Sequence, residues 1–369
     1  MKEFTIPSID VVIPVYNAPE LTRLCIDSVI TYLGQSIQCV YIQDDASDIK
    51  TREMLDSLSY EQLRVHHAPI NQGFGLSVNE AIARSEASYI LVLNSDTEAF
   101  EDFLPLLCKM LAMDPQLAVV SPAHQHFARY DLGRYIRTPG GYIPAYRFQG
   151  HAFLIRRCIF QEIGGFDPEF GRGYFEDIDL SRRLDLRDWR IGVHPDVYIR
   201  HKGGGSFGRG RAYRALMQRN RALYLSRYPG ACHNILLITD CNRLVDVSAE
   251  LQAAITHVFR QGGNVHWLTP IPAPQLLCLH MRNSPANLIT VIRLMLRGMF
   301  RKDKRVSAVW ILPGVPRLLR VLLALFIRMR KLEVLTWETP VCGSMSSDWL
   351  SDNSSDLSSA IPQKNKISK

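Results

Sequence analysis

Three groups of acidic side chains and one imidazole in this 369-residue chain have the types and spacing to do chemistry. They are Asp44-Asp45, Asn94-Ser95-Asp96, the run Glu176-Asp177 with Asp179, and His201 beside a stretch of glycines. A carboxylate such as Asp44 can accept a hydrogen bond from a base N–H or a ribose hydroxyl. Equally, Asp44, Asp45 and Ser47 can cap the helix that follows them. Asp96 stands just past an apolar strand, where the fold itself asks for no carboxylate. A hard cation such as Mn2+ or Mg2+ takes one or two carboxylates and completes its shell with substrate phosphates. An imidazole ligand from His201 tilts the choice toward Mn2+, although a lone histidine also serves structural ends. Glu176, Asp177 and Asp179 crowd the start of a helix, and the helix dipole accounts for only one of them. An acid in a partly desolvated cleft can act as a general base.

The elements that must position these groups follow from hydrophobic periodicity. Residues 10–15 (DVVIPV), 38–43, 63–67 and 89–93 (YILVL) predict strands, with helices at 19–33, near 49–58 and at 75–86. Such alternation predicts a mostly parallel sheet with ligands at the carboxyl ends of its strands. Asn17, Asp44-Asp45 and Asn94-Ser95-Asp96 all fall at those ends. A second regime starts near residue 145, with a strand at 150–156, a turn at 164–168 and a helix at 177–187. Short strands near 190–193 and 197–200 and an Arg-rich helix over 209–228 follow. The stretch 121–150 carries no readable signal. Pro229-Gly230 reads as a domain boundary. Beyond it, strands at 235–240, 264–269, 306–312 and 333–337 alternate with helices at 246–261, 285–300 and 316–331. They predict a separate half-Rossmann βαβ unit over 231–340. Residues 341–369, rich in Ser, Asp and Asn, are expected to be disordered.

Eight ordered blocks carry a family resemblance: IDVVIPVYN (9–17), QDDASD (43–48), NQGFGLSVNEAI (71–82), LVLNSDT (91–97), GHAFLIR (150–156), IGGFDP (163–168), YFEDIDLSRR (174–183) and His201. Together they resemble family 2 glycosyltransferases of the rhamnosyltransferase-like branch, over roughly residues 8–225. The resemblance implies a GT-A fold, an α/β architecture with a mixed sheet that binds a nucleotide-sugar, as a catalytic domain over 1–230. It implies that Asp44 reads the nucleotide base and that Pro14, Tyr16 and Asn17 line the donor site. Asn71 and Gly73 would close on the nucleoside. Asn94-Ser95-Asp96 occupies the metal-binding position, with Asn94 in place of the first acid, so that Asp96 and His201 would hold Mn2+ or Mg2+. Asp177 matches the catalytic base, and Glu176 would orient the acceptor or Asp177. The implied reaction is inverting transfer from a nucleotide-diphosphate sugar to a glycan or lipid-linked acceptor in surface polysaccharide biosynthesis. The second unit is similar to the opening half of a GT-B glycosyltransferase, without the nucleotide-binding half.

Composition narrows the classes further. Hydrophobic residues make up 47% and charged residues 21%, a globular balance that excludes wholesale disorder and collagen-like repeats. No stretch reaches the roughly 18 apolar residues of a membrane-spanning helix. Met1-Lys2-Glu3 leads at once into a strand-like run, and no signal peptide is expected. Eight Cys lack metal-ligand or disulfide spacing, which fits reduced thiols in a cytosol. Charge is divided: residues 1–201 carry 19 Lys and Arg against 27 Asp and Glu, and residues 202–331 carry 21 against 4. The basic half implies an anionic partner, and a membrane surface fits better than nucleic acid, for which no recognition motif is present. A dinucleotide oxidoreductase lacks its GxGxxG, and a nucleotidyltransferase lacks a Gly/Arg-rich loop after the first strand. A degenerate transferase that serves as a scaffold is the remaining alternative, favoured by Asn94. The expected location is cytoplasmic, on the inner face of the cell membrane.

Overall fold

A computed structural model describes residues 7–124, 130–203, 210–300 and 305–336. The tail expected at 341–369 lies outside them. The chain forms two compact units that meet at Pro229 and Gly230.

In the first unit, β1 (Ile9–Val15), α1 (Pro19–Leu33), β2 (Val40–Asp44), α2 (Ile49–Asp56), β3 (Leu63–His67), α3 (Phe74–Ala83) and β4 (Tyr89–Leu93) alternate as expected. Strands β1 to β4 are mutually parallel, in the order β3-β2-β1-β4. Val11, Val12, Ile13, Leu91 and Val92 are fully buried, as strands covered on both faces by helices must be. Asp48 caps α2, accepting from the Thr51 N–H at 2.9 Å, which satisfies a donor the helix cannot. The chain then passes through β5 (Thr97–Glu98), α4 (Leu104–Met113), β6 (Leu117–His124), β7 (Ile143–Ala145), β8 (Ala152–Arg156), α5 (Arg157–Glu162), α6 (Glu176–Asp185), β9 (Arg190–His201) and α7 (Arg211–Arg227). The parallel order predicted from residues 10–93 holds for β1 to β4, and the mixed sheet implied by the family resemblance arises beyond them. Strand β8 runs antiparallel to both β4 and β6, so the nine-stranded sheet is mixed. The two short strands expected after residue 190 are the single strand β9, which passes Pro195 with a shift of register against β6.

The strand order turns around between β1 and β4, because β2 and β3 lie on one side of β1 and β4 on the other. At such a reversal the loops leave the carboxyl ends in opposite directions and open a crevice. The candidate residues lie there.

The second unit holds β10 (Asn234–Ile238), α8 (Ala249–Arg260), β11 (Asn264–Thr269), β12 (Met281–Pro285), α9 (Leu288–Phe300), β13 (Ala308–Ile311), α10 (Arg317–Arg330) and β14 (Glu333–Thr336). Its sheet runs β12-β11-β10-β13-β14, and every pair is parallel. This is a five-stranded doubly wound sheet, one strand larger than the sequence predicts, because β12 was not expected. Val291, Leu319 and Leu323 of α9 and α10 share a core with Leu236, Ile238 and Val309 of the sheet. Among the described residues no helix is long and apolar enough to cross a membrane.

Candidate active site

A cleft of about 530 Å3 opens over the carboxyl ends of β1 and β4. Pro14, Tyr16, Asn71, Ser95, Asp96, Glu176, Asp177 and His201, each singled out from the sequence, line it. Asn17, Asp44 and Gly73 do not.

Asn17 is a strut between loops. Its N–H donates to Ser47 Oγ at 2.8 Å, and its Oδ1 accepts from the Asp48 N–H at 2.8 Å. Asp44 is wholly buried beneath the cleft. Its Oδ1 accepts from the Ser47 N–H at 3.0 Å, and its Oδ2 lies 2.6 Å from His67 Nδ1. Burial lowers the His67 pKa, but hydrogen bonds to Asp44 and Asp56 outweigh it and hold the imidazole above its ordinary value. The acid that faces the cleft at this loop is the next one, Asp45. Its two oxygens accept from the Gln72 and Gly73 N–H groups at 2.6 and 2.8 Å, while Asn71 Nδ2 donates to its carbonyl at 3.1 Å. Asp45 therefore fixes the loop that carries Asn71 and Phe74 into the cleft. Gly73 is required by close packing: at φ +92°, a Cβ there would lie 2.3 Å from Arg172 Cα. Its lack of a side chain lets the loop before α3 pass against the loop before α6.

The pairing of β5 with β9 places Thr97 opposite His201. That register brings His201 Nε2 to 3.1 Å from Asp96 Oδ1. Burial pushes the Asp96 carboxyl up, but the hydrogen bond and charge of His201 outweigh it and bring the carboxyl below its usual range. His151, which the sequence reading did not single out, lies flat on His201, with ring centroids 4.4 Å apart and planes 3° from parallel. Stacking of this kind restricts the His201 ring to one plane.

The third side of the cleft is a strained loop. Gly171, Gly173, Tyr174 and Phe175 all have positive φ, and the last two are not glycine. Such conformations cost of order 1–3 kcal/mol each and persist only where the surroundings enforce them. Asn220 of α7 does so here. It is fully buried, and its Nδ2 lies 2.7, 2.7 and 3.0 Å from the carbonyls of Phe170, Gly173 and Tyr174. Directly after the strained pair, α6 opens with Glu176 and Asp177. Burial and the charge of Asp177 push the Glu176 carboxyl well above the ordinary range. Burial also raises Asp177, opposed by the Ile178 N–H at 2.9 Å and by the charge of Arg147. Gly150 passes so close that a Cβ there would sit 3.1 Å from Asp177 Oδ2. Asp179 is different: it is fully buried and paired with Arg183 at 2.7 Å and Arg227 at 3.4 Å. The Arg183 pair lies within α6, and the Arg227 pair fastens α6 to α7.

Four buried polar atoms in the cleft walls have no hydrogen-bond partner: Asn71 Oδ1, Ser77 Oγ, Asn94 Oδ1 and Glu176 Oε2. Unpaired buried polar atoms are costly in a folded chain, and four around one cleft mark the place of a polar ligand. Among the described residues no three His, Cys, Asp or Glu converge on one point. Asp96, His201 and the amide oxygen of Asn94 form a sparse donor set. Such a set fits a divalent ion whose shell is completed by substrate phosphates.

Residues 10–176 match the family model described as Glycosyl transferase family 2. With the mixed sheet described above, the GT-A class of fold expected for the first unit holds. A glycosyltransferase of Streptococcus pneumoniae, GlyA, is 24% identical over 103 residues, which are 28% of this chain and 15% of that protein. The mannosyltransferase PcManGT of Pyrobaculum calidifontis, solved with GDP-Man and Mn2+, aligns with a TM-score of 0.47 at 17% identity. That alignment covers 61% of this chain and 65% of PcManGT. TarS of S. aureus, solved with UDP-GlcNAc, aligns with a TM-score of 0.46 at 16% identity, over 59% of this chain and 66% of the other. The chain thus spans about a seventh of the curated relative and under two thirds of PcManGT.

Proposed function

We propose that residues 1–230 are the catalytic domain of an inverting glycosyltransferase of the hexosyl or rhamnosyl type. It moves a sugar from a nucleotide-diphosphate sugar to a hydroxyl of a glycan or lipid-linked acceptor. The setting is the cytoplasmic side of the cell membrane, in the assembly of a surface polysaccharide such as O-antigen, capsule or exopolysaccharide. The observation that carries this reading is the meeting of two pairs, Asp96–His201 and Glu176–Asp177, across one cleft. The first suits a diphosphate and its cation, and the second suits a hydroxyl that must lose a proton.

In the proposed reaction, Asp177 takes the proton of the acceptor hydroxyl, and that oxygen bonds to the anomeric carbon. The bond from this carbon to the diphosphate oxygen breaks, its electron pair leaves with the diphosphate, and the single displacement inverts the configuration. Burial strengthens Asp177 as a base, while Arg147 and the Ile178 N–H keep it ionisable. Glu176, held protonated by burial, is able to donate a hydrogen bond to the acceptor. Asp96 and His201 would hold Mn2+ or Mg2+, which when bound would supply positive charge against the diphosphate. The nucleoside lies along Pro14, Tyr16 and Asn71, with Asp45 in the facing role for which the sequence singled out Asp44. The second unit, similar to an incomplete GT-B half, is assigned no transfer activity of its own.

A scaffold role is the second reading, favoured by Asn94 at the position of an acid. Metal-dependent transfer or hydrolysis of a nucleotide-sugar by the purified chain separates the two. Turnover lost in Asp96→Ala supports the enzyme, and no turnover with any donor supports the scaffold.

A further inference from the structure

The second unit turns two sets of aliphatic side chains outward. On α10, Leu319, Leu323 and Phe326 are buried, the first two in the core with the sheet, yet Leu318, Val321, Leu325 and Met329 are 66%, 68%, 56% and 65% exposed. Their spacing of three, four and four residues makes them one stripe. Arg317, Arg320, Arg328 and Lys331 are exposed on the flank of that stripe. Helix α9 packs beside α10 over the shared core. It exposes Ile289, Ile292 and Leu296, with Arg293 next to them. The aliphatic residues of α10 therefore form two faces, one buried and one exposed.

We propose that the outer face of α9 and α10 docks on an anionic lipid bilayer. The stripes enter the boundary between headgroups and acyl chains, and the flanking cations meet lipid phosphates. Three features select this occupant. The stripes are aliphatic and lie against a row of cations, the pattern of a helix that rests in an interface. Residues 202–331 carry 21 Lys and Arg against 4 Asp and Glu, so the complementary surface is negative. A fluid bilayer also accepts an aliphatic stripe without matching its shape. This proposal does not depend on the transferase reading, because none of these residues lies in the cleft.

The test is flotation of the full chain with vesicles of phosphatidylcholine alone or mixed with phosphatidylglycerol. The chain is expected to rise with the anionic vesicles only and to be released as salt increases. Each cation near such a surface is worth about a fivefold change in partition. Arg320→Glu with Arg328→Glu should therefore lower recovery more than tenfold. Val321→Asn with Leu325→Asn should also lower it about tenfold or more. These positions are exposed, so both variants should keep the thermal unfolding of the parent, which circular dichroism checks. Equal recovery on both vesicle types, no recovery on either, or unchanged recovery of both variants overturns the proposal. So does flotation that requires removal of residues 337–369, which would make the tail the occupant. A self-association abolished by the Val321 and Leu325 changes, without flotation, would make it a second copy of the chain.

Discussion

At the scale of single residues, neighbouring acids differ in what each one faces. Asp177 and Glu176 face the cleft, while Asp179, two positions on, is spent on Arg183 and Arg227. Asp177→Asn keeps size and shape and removes only the base. It should cut kcat by about 10²–10⁴-fold with the donor KM nearly unchanged, as steady-state kinetics will measure. A rate within tenfold of the parent would move the base to Glu176. The raised pKa of Glu176 has a second consequence, in stability. Its folded value lies above its unfolded value, so its contribution is complete at low pH and is lost as pH rises between the two. Glu176→Gln mimics the protonated form and does not titrate. Its Tm should gain on the parent between pH 5 and pH 8, values spanning roughly the ordinary and the raised carboxyl range. A constant difference across that range would contradict the burial argument. Residue identity alone could not separate Asp44 from Asp45, because the facing of each depends on a turn in which Ala46 takes φ 58°.

At the scale of elements, the chain was most legible where an apolar run is continuous. Strand β4, an uninterrupted apolar run, and helix α1, a clear amphipathic stripe, lie where periodicity predicts them, and so does β3, whose LRVHH alternates inward and outward positions. The misses have identifiable causes. Strand β6 contains Pro122, tolerated because the ladder to β9 shifts register between Pro122 and Ala123. Strand β12, with the sequence MRNSP, has no apolar signal and exists through its backbone pairing with β11 at the sheet edge. The role of α7 was likewise hidden, since an Arg-rich helix gives no hint that Asn220 reaches three carbonyls of the strained loop. Asn220→Ala should destabilise the first unit by about 1–3 kcal/mol, the cost of leaving buried carbonyls unpaired. It should lower kcat more than it raises the donor KM, because the loop it releases leads into α6, which opens with Glu176 and Asp177. A fall in Tm with unchanged kcat would leave Asn220 a purely structural residue.

At the scale of the whole molecule, the charge boundary near residue 201 falls before the boundary between the units at Pro229. Residues 1–201 carry the acids of the cleft, and residues 202–331 carry 21 Lys and Arg against 4 Asp and Glu. Each unit has its own sheet and core, so residues 1–229 produced alone should unfold in one cooperative step and retain donor hydrolysis. A broad, non-cooperative transition would show that the first unit needs the second. The central claim is that the cleft over β1 and β4 transfers a sugar from a nucleotide. Its most direct test is the release of nucleoside diphosphate from a panel of nucleotide-sugars, with and without Mn2+. Release is expected from at least one donor with Mn2+ present, abolished in Asp96→Ala and reduced about 10²–10⁴-fold in Asp177→Asn. Release that persists unchanged in both variants, or no release from any donor, would contradict it.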